Sequence, residues 1–267
     1  MYLPTVLSIA GSDSGGGAGI QADIKAISAL GCHATTAITA VTAQNNFEVR
    51  SFKIVDLELI QDQMEAIFSD FDVQAVKLGM LGQTAVVKLV AKLLEQYSPP
   101  HIVLDPVLAA TSGNALGEKS VVDSMAEYLF PLATVITPNL EEAGIFLKQE
   151  IVSDPDQMLD VATSLIHMGA RAVLLKGGHL CASHADLLDL LVLKDKEAIQ
   201  SYRFVHPRID TPNTRGTGCT LASAIAACLA HGKSLPESVS TAINYLEGVL
   251  MYRKGSTLGK GSCLGLN

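Results

Sequence analysis

The sequence has no tryptophan, few aromatic residues and no excess of positive charge. Aromatic residues make up 5% of its 267 positions, and 19 Lys and Arg stand against 27 Asp and Glu, for a formal net charge of -8. A protein that binds a phosphate backbone needs a basic face, so nucleic acid is not an expected partner. Only 17% of the residues are charged and 48% are hydrophobic, which excludes a long disordered chain and indicates a globular one.

Patterns typical of metal sites and disulfide frameworks are also missing. The sequence contains no H-E-x-x-H motif and no C-x-x-C pair, so neither histidine nor cysteine spacing predicts a zinc site. The odd number of cysteines indicates reduced thiols rather than a set of disulfides. These cysteines are Cys32, Cys181, Cys219, Cys228 and Cys263.

Long hydrophobic runs are absent as well. The most apolar stretch, residues 221–230, is about half as long as the roughly 20 residues that cross a bilayer. The first basic residue is Lys25, so no basic region precedes the early apolar run as it would in a signal peptide. We therefore expect a cytoplasmic protein without a membrane partner.

Short β-rich runs alternate with stretches of helical periodicity along the chain. Several of the runs are nearly all apolar, which is typical of strands buried on both faces of a parallel sheet. Two later runs, 186–193 and 198–205, are joined by a charged turn and predict an antiparallel edge hairpin. No linker or repeat divides the chain, so we predict one three-layer α/β domain over residues 1–267. The other predicted strands are residues 3–10, 33–42, 75–78, 102–104, 135–137 and 172–175, and the helices include 20–30, 60–67, 217–231 and 235–252.

A loop at residues 11–19 carries five glycines in nine positions, between a predicted strand and a predicted helix. Such a loop brings backbone N–H groups close to a ligand at a helix start, as dinucleotide sites do. The dinucleotide fingerprint itself fails, because Ile20 stands where glycine or alanine is required and no acidic residue ends the second strand. The loop favours close approach of a ligand over a merely tight turn, and a nucleotide-binding oxidoreductase is the less favoured alternative.

The strongest local signal is the run NTRGTGCT at residues 213–220, directly before a helix of small apolar residues. Gly216 and Gly218 allow successive backbone N–H groups to converge on one point at the positive end of the helix dipole, which predicts an anion hole. Cys219 lies in the first turn of that helix, where the same field is expected to lower the thiol pKa and favour a base or nucleophile. The alternative is a buried structural cysteine behind a capping turn.

Charged and polar residues follow several apolar strands, at the edge where α/β sheets bind ligands. Asp105 and Lys176 each come directly after a strand, and could serve a metal and a phosphate or be exposed turn residues. Asn139 and Glu142 form a capping-box pattern, and the same carboxylate and amide could also hold Mg²⁺ beside phosphates. Gln44 follows the second strand and has the paired donor and acceptor that read a polar heterocycle.

These motifs occur in an order that resembles the hydroxymethylpyrimidine and phosphomethylpyrimidine kinases of thiamine biosynthesis, within the ribokinase-like kinases. The resemblance implies an ATP-dependent kinase that phosphorylates 4-amino-5-hydroxymethyl-2-methylpyrimidine and then its monophosphate, giving the diphosphate. It also implies that the protein uses ATP with Mg²⁺ and forms a homodimer. It leaves open whether a monovalent cation takes part. The motifs that carry it over nearly the whole chain are IAGSDSGGGAGIQADIKA, TAVTAQN, VKLGML, DPV, TPNLEEA, LLKGGH and NTRGTGCT.

The resemblance also assigns roles to individual residues. Gln44 matches the family's pyrimidine-reading glutamine, and Gly216, Gly218 and Cys219 match the anion hole and its catalytic residue. Lys176 matches the lysine that meets the transferring phosphate. Asn139, Glu142 and Thr217 are implied on the nucleotide side, and Asp105 and Glu142 near Mg²⁺. The residues implied around the pyrimidine ring are Gly11, Ala18, Asp23, Met80 and Val107.

Some positions depart from the family pattern. Arg215 stands where histidine is expected, and the tail GKGSCLGLN lacks the proline and final histidine of these kinases. Since a phosphoryl-transfer site must exclude water, a lid is expected at the glycine loop or at residues 212–215. The nearest rival function is a pyridoxal or pyridoxine kinase of the same fold, and a non-catalytic vitamin-binding module is a further alternative.

Overall fold

A computed structural model describes residues 3–108, 120–150, 155–178, 186–195, 198–211 and 214–254. The Gly-rich tail after position 254, and predicted elements of the site such as residues 212–213, lie outside these ranges. No helix in the described parts of the chain is both long enough and apolar enough to cross a membrane.

The described residues contain nine strands, which form one sheet in the order β3-β2-β1-β4-β5-β6-β7-β8-β9. Six neighbouring strands, β2, β1, β4, β5, β6 and β7, run parallel, and β3, β8 and β9 pair antiparallel at the two edges. The mostly parallel sheet with an antiparallel edge hairpin is thus confirmed. The strands are β1 (Thr5–Asp13), β2 (His33–Gln44), β3 (Val49–Ile54), β4 (Val73–Leu78), β5 (His101–Leu104), β6 (Val135–Ile136), β7 (Ala172–Lys176), β8 (Asp186–Asp195) and β9 (Ala198–Pro207).

Helices cover both faces of this sheet. On one face, a core of residues such as Leu7, Leu78 and Leu104 packs against α2 to α6; on the other, residues such as Val6 and Val103 pack against α1, α7 and α8. The alternation of neighbouring strand residues between two cores produces the predicted three layers. The helices are α1 (Gly19–Ala29), α2 (Leu57–Asp70), α3 (Thr84–Tyr97), α4 (Ser120–Ser124) with a π-helical continuation at Met125–Leu129, α5 (Leu140–Leu147), α6 (Met158–His167), α7 (Thr217–Ala230) and α8 (Leu235–Tyr252).

The structure differs from the sequence prediction at the carboxyl end of β1 and at strand β3. β1 extends three residues into the predicted glycine loop, because Gly11, Ser12 and Asp13 stay in register with β2 after an irregularity at Ala10 and Gly11. The true loop is therefore shorter, from Ser14 to Ala18. Strand β3 was not predicted: its burial pattern is mostly exposed, so it lacks the apolar alternation that marks a half-buried strand.

The parallel strands place their carboxyl ends along one edge of the sheet. Gln44, Asp105 and Lys176 end or directly follow three of these strands, and the N-terminus of α7 faces the same edge. The order of the strands therefore assembles residues that are distant in sequence.

Candidate active site

The start of α7 lies against the ends of β5 and β7. A methyl group added at Gly218 would be 3.4 Å from Nζ of Lys176 and 3.6 Å from Oδ2 of Asp105. Any side chain at this position would therefore fill the space next to these two charged groups, and glycine leaves that space open. Lys176 Nζ donates to Asp105 Oδ1 at 3.2 Å, and the Thr137 hydroxyl donates to the same oxygen at 3.1 Å. The structure thus brings together the lysine, the aspartate and the glycine-rich helix start that the sequence singled out.

Gly216 sets the direction in which α7 begins. Its φ is +82°, in the left-handed region, and a Cβ there would lie 1.9 Å from the carbonyl oxygen of Gly17. Only glycine meets both requirements. The glycine loop and the start of α7 therefore touch through their backbones. Thr217, the first residue of α7, donates its hydroxyl to the Thr214 carbonyl at 2.9 Å.

Asn139 and Glu142 form the capping box of α5. The Asn139 side chain accepts from the Glu142 N–H, and the Glu142 carboxylate accepts from the Asn139 N–H, both at 2.8 Å. Asn139 also forms an isolated parallel bridge with Lys176, which joins the start of α5 to the end of β7. The predicted capping of α5 by this pair is therefore observed. The same geometry keeps Glu142 close to Lys176 and Asp105.

The charges in this cluster are unbalanced. Burial raises the pKa of Glu142 to about 7, Lys176 opposes the shift, and the negative charge of Asp105 adds to it. Burial disfavours the charged form of Lys176, but Asp105 and Glu142 outweigh it and leave the lysine pKa raised. Two carboxylates thus share one ammonium group, and the cluster would be stabilised by a further cation.

Cys219 is half-buried in the first turn of α7. Its thiol accepts a hydrogen bond from the backbone N–H of Gly19, at the start of α1. Burial raises the thiol pKa to about 11, and the positive charge of Lys77 only partly opposes this. The predicted lowering of this pKa is therefore wrong: desolvation outweighs the field of the helix, and the cysteine is a neutral thiol at neutral pH.

Arg215 ties the glycine loop to the start of α7. Its Nη2 donates to Asp13 Oδ2 at 2.7 Å, and its Nη1 donates to the Asn45 carbonyl. The Asp13 carboxylate in turn accepts from the backbone N–H groups of Gly15, Gly17 and Ala18. The position that departs from the family pattern thus holds an arginine that orders the loop predicted as a lid. The other predicted lid is the segment 212–215, of which the structure describes residues 214 and 215.

The residues implied around the pyrimidine ring divide into two groups. Met80 packs with Ala40 and Val107 in a small apolar cluster, and a Cβ on Gly11 would lie 3.1 Å from the Met80 sulfur. Gln44 ends β2 beside the loop, where its N–H donates to the Ser14 hydroxyl and its side-chain oxygen accepts from Thr42. Gly11, Ala18, Gln44, Met80 and Val107 therefore lie along the ends of β1, β2, β4 and β5.

Asp23 belongs to a different environment. It is fully buried on α1, and both its carboxylate oxygens accept from Lys77 Nζ at 2.9 Å. The hydroxyls of Ser8 and Ser223 donate to it as well. The structure thus engages this carboxylate with the protein itself, apart from the apolar cluster of Met80. Lys77 was missed by the sequence analysis, although a lysine inside an apolar parallel strand is itself a signal of a buried partner.

Chemically, this arrangement can bind an anionic group at the start of α7, beside a lysine, two carboxylates and an apolar wall suited to a flat ring. No cluster of three or more metal-binding side chains occurs in the described ranges. Cations are supplied by Lys176 and, beneath the site, by Lys77.

The sequence matches a known protein family over most of its length. The phosphomethylpyrimidine kinase family model matches residues 13–264. A hydroxymethylpyrimidine/phosphomethylpyrimidine kinase of Rhizobium meliloti (strain 1021) is 45% identical over 255 residues, which cover 96% of this chain and 93% of that protein.

Two solved structures resemble the whole fold. The phosphomethylpyrimidine kinase of Clostridium difficile 630 superposes with a TM-score of 0.78 at 36% identity, covering 92% of this chain and 99% of that one. A Bacillus subtilis pyridoxal kinase in an ADP complex superposes with a TM-score of 0.82 at 32% identity, covering 93% and 92%. The fold is therefore shared by a phosphomethylpyrimidine kinase and a pyridoxal kinase.

Proposed function

The chain belongs to the phosphomethylpyrimidine kinase family, and from this premise we propose that it is an ATP-dependent kinase of thiamine biosynthesis. Its first substrate is 4-amino-5-hydroxymethyl-2-methylpyrimidine, and its second is the monophosphate, which it converts to the diphosphate. The observation that carries the proposal is the meeting of Lys176, Asp105 and Gly218 at the start of α7. These groups suit a transferring phosphoryl group, for which catalysis is mainly positioning and charge stabilisation.

The pyrimidine ring binds against the apolar cluster of Met80 and Val107, with Gly11 and Ala18 leaving space for its approach. Gln44 pairs its amide with the ring nitrogen and the exocyclic amine. Such a pair discriminates strongly, because a ring without these groups leaves the amide unpaired. The hydroxymethyl group then points to the backbone N–H groups of Gly216, Gly218 and Cys219.

In the transfer step, the hydroxymethyl oxygen forms a bond to the γ-phosphorus while the bond to the β,γ-bridging oxygen breaks and ADP leaves. The α7 N–H groups and Lys176 stabilise the charge on the phosphoryl oxygens. The hydroxyl proton departs as the new bond forms. Because the Cys219 thiol has its pKa raised to about 11, it is not a preformed base in the free protein. We infer that the thiol first gives its own proton to solvent, and that the resulting thiolate accepts the hydroxyl proton once the alcohol has lost electron density to phosphorus.

The donor set at the sheet edge fits Mg²⁺. Asp105 and Glu142 offer the carboxylate oxygens that this ion prefers, and their mutual repulsion is what a cation would relieve. These two residues, with Asn139 and Thr217 on the nucleotide side, would hold Mg²⁺ together with the phosphates. When bound, the ion neutralises phosphate charge, and Lys176 and the helix start orient the γ-phosphoryl group.

The pyridoxal kinase alternative has one specific support, the TM-score of 0.82 with the Bacillus subtilis enzyme. Sequence identity favours the pyrimidine, at 45% against 32%. The test incubates the protein with ATP and Mg²⁺ and, in parallel, hydroxymethylpyrimidine, its monophosphate or pyridoxal, and separates the products by charge. We expect turnover of both pyrimidines, with pyridoxal at least ten-fold slower in kcat/KM; turnover of pyridoxal alone would contradict the proposal.

We also propose that the protein forms a homodimer through the β3 edge. Strand β3 and the adjacent turn expose large apolar side chains, with Phe47 63% and Phe52 40% exposed. Exposed apolar edges of this kind favour association. Light scattering after gel filtration should give the mass of two chains, and Phe52→Lys should shift it towards one. A monomeric parent protein would contradict this proposal.

A further inference from the structure

Lys77 carries a positive charge in the middle of the molecule. It lies on β4, its side chain is 0% exposed, and its ammonium donates to both oxygens of Asp23 at 2.9 Å. Asp23 also accepts from Ser8 at 2.6 Å and from Ser223 at 2.8 Å. The ion pair is therefore well satisfied by hydrogen bonds, and the mechanism derived so far makes no use of it.

The pair lies directly beneath the phosphoryl-binding end of the site. Ser223 follows Cys219 by four residues on α7, and Asp23 follows Gly19 by four residues on α1, which is one helical turn in each case. The Gly19 N–H and the Cys219 thiol are hydrogen-bonded above them. The Lys77 ammonium is thus held below the starts of two helices, on the side where the anion would bind.

Stability alone does not explain this arrangement. Replacing a buried ion pair by neutral side chains of similar volume is often neutral or stabilising, because desolvation of two charges offsets their attraction. The ammonium is also closely packed, since a Cβ on Gly79 would lie 2.9 Å from it. A charge kept in such a place has an electrostatic use when an anion forms nearby, since a fixed charge in a water-poor site needs no reorganisation.

We propose that Lys77, oriented by Asp23, is a positioning residue that supports the anion hole from beneath, stabilising negative charge on the Cys219 side chain and on the transferring phosphoryl group. The proposal rests on the kinase function proposed above and adds a residue that does not itself touch the substrate. In agreement with this geometry, the charge of Lys77 acts to lower the Cys219 pKa, whereas Asp23 and Asp105 act to raise it.

The decisive variant removes both charges at once. Lys77→Met with Asp23→Asn keeps the side-chain volumes and leaves no lone buried charge. The asparagine oxygen can accept from one of the two serine hydroxyls, Ser8 or Ser223, and its NH2 group can donate to the other. We expect its melting temperature to stay within a few degrees of the parent, its KM values for both substrates to change less than about three-fold, and its kcat to fall about 10- to 100-fold. Binding of ADP with aluminium fluoride and the pyrimidine, which mimics the transferring phosphoryl group, should weaken by a similar factor.

The control is Ser223→Ala, which removes one hydrogen bond from Asp23 and no charge. Its kcat should stay within about three-fold of the parent. If the double variant does not fold, Lys77→Gln with Asp23→Asn, an amide pair that can hydrogen-bond to itself, takes its place in the same comparison.

Three outcomes would overturn the inference: a folded neutral pair with parental kcat, a loss of equal size in Ser223→Ala, or a loss confined to the KM for the pyrimidine. The last would place Asp23 in the substrate pocket instead. Failure of the proposed function is distinguishable, because the parent protein would then phosphorylate no pyrimidine at all.

Discussion

Replacing Gly218 by alanine should separate catalysis from stability. The added methyl group would lie 3.4 Å from Lys176 Nζ and 3.6 Å from Asp105 Oδ2, which are ordinary contact distances. The fold can therefore accept it, and because glycine is a poor helix former, alanine in the first turn of α7 should raise the free energy of unfolding by about 0.5 kcal/mol. The same methyl group would occupy the space between Lys176 and the phosphoryl oxygens. Losing one such contact in an anion hole costs about 10²- to 10³-fold in kcat.

Two other glycines provide controls for this variant. A Cβ at Gly248, on α8, would meet no atom within 4 Å, so Gly248→Ala should gain similar stability and keep full activity. A Cβ at Gly216 would lie 1.9 Å from the Gly17 carbonyl at a φ of +82°, so Gly216→Ala should lose stability by more than about 1 kcal/mol. Chemical denaturation and steady-state kinetics on the three proteins suffice. If Gly218→Ala kept kcat within two-fold of the parent, no phosphoryl group could bind where we place it.

Four further results are expected. Alkylation of Cys219, followed by peptide mapping, should still accelerate above pH 10, because burial raises its pKa to about 11, and a plateau near pH 8 would contradict that environment. Gln44→Ala should weaken pyrimidine binding by about 1–3 kcal/mol in calorimetry and leave ATP binding unchanged; equal pyrimidine affinity would remove Gln44 from the pocket. Because the folded pKa of Glu142 is raised to about 7, its contribution to stability is present below pH 4.5 and lost as the pH rises through 7. Mg²⁺ activation should correspondingly strengthen from pH 6 to pH 8, as Glu142 loses its proton. Glu142→Gln should abolish that trend, while the glutamine can still cap α5. If this variant had the same Mg²⁺ titration as the parent, Glu142 would have only its structural role. Burial opposes the charge of His206, but Asp189 and Glu247 outweigh this effect and raise its pKa. The contribution of His206 to protein stability is therefore complete below about pH 6.5 and is lost as the pH rises through the raised pKa. A difference in melting temperature between the parent and His206→Gln that grows with pH would contradict this.

The layered fold could be predicted because its strands are buried on both faces. Runs such as 102–104 and 172–175 are too apolar and too short to be anything but interior strands between longer periodic segments. Strand β3 could not be predicted in this way, since an edge strand with one exposed face and one neighbour has no apolar run to mark it. The extension of β1 to Asp13 has a different cause: glycine weakens strand propensity, and only pairing with β2 decides that Gly11 remains in the sheet.

The residues of the candidate active site differ in a similar way. Some can be recognised from their neighbours in the sequence, and others cannot. A glycine pair before a helix, or a charge directly after an apolar strand, indicates an anion site through local sequence alone, so Gly216, Gly218 and Lys176 could each be proposed separately for this site. The protonation state of Cys219 could not, because it depends on burial by α1 and on charges from β4 and β5, which are brought near only by the order of the strands. A rule that considers only the helix on which the thiol sits includes the dipole and omits the larger desolvation energy, and therefore gives the wrong sign. If the site nevertheless needs negative charge there during transfer, the compensating charge has to come from a residue outside that helix, and among the described residues Lys77 is the cation whose charge acts on this thiol against the effect of burial.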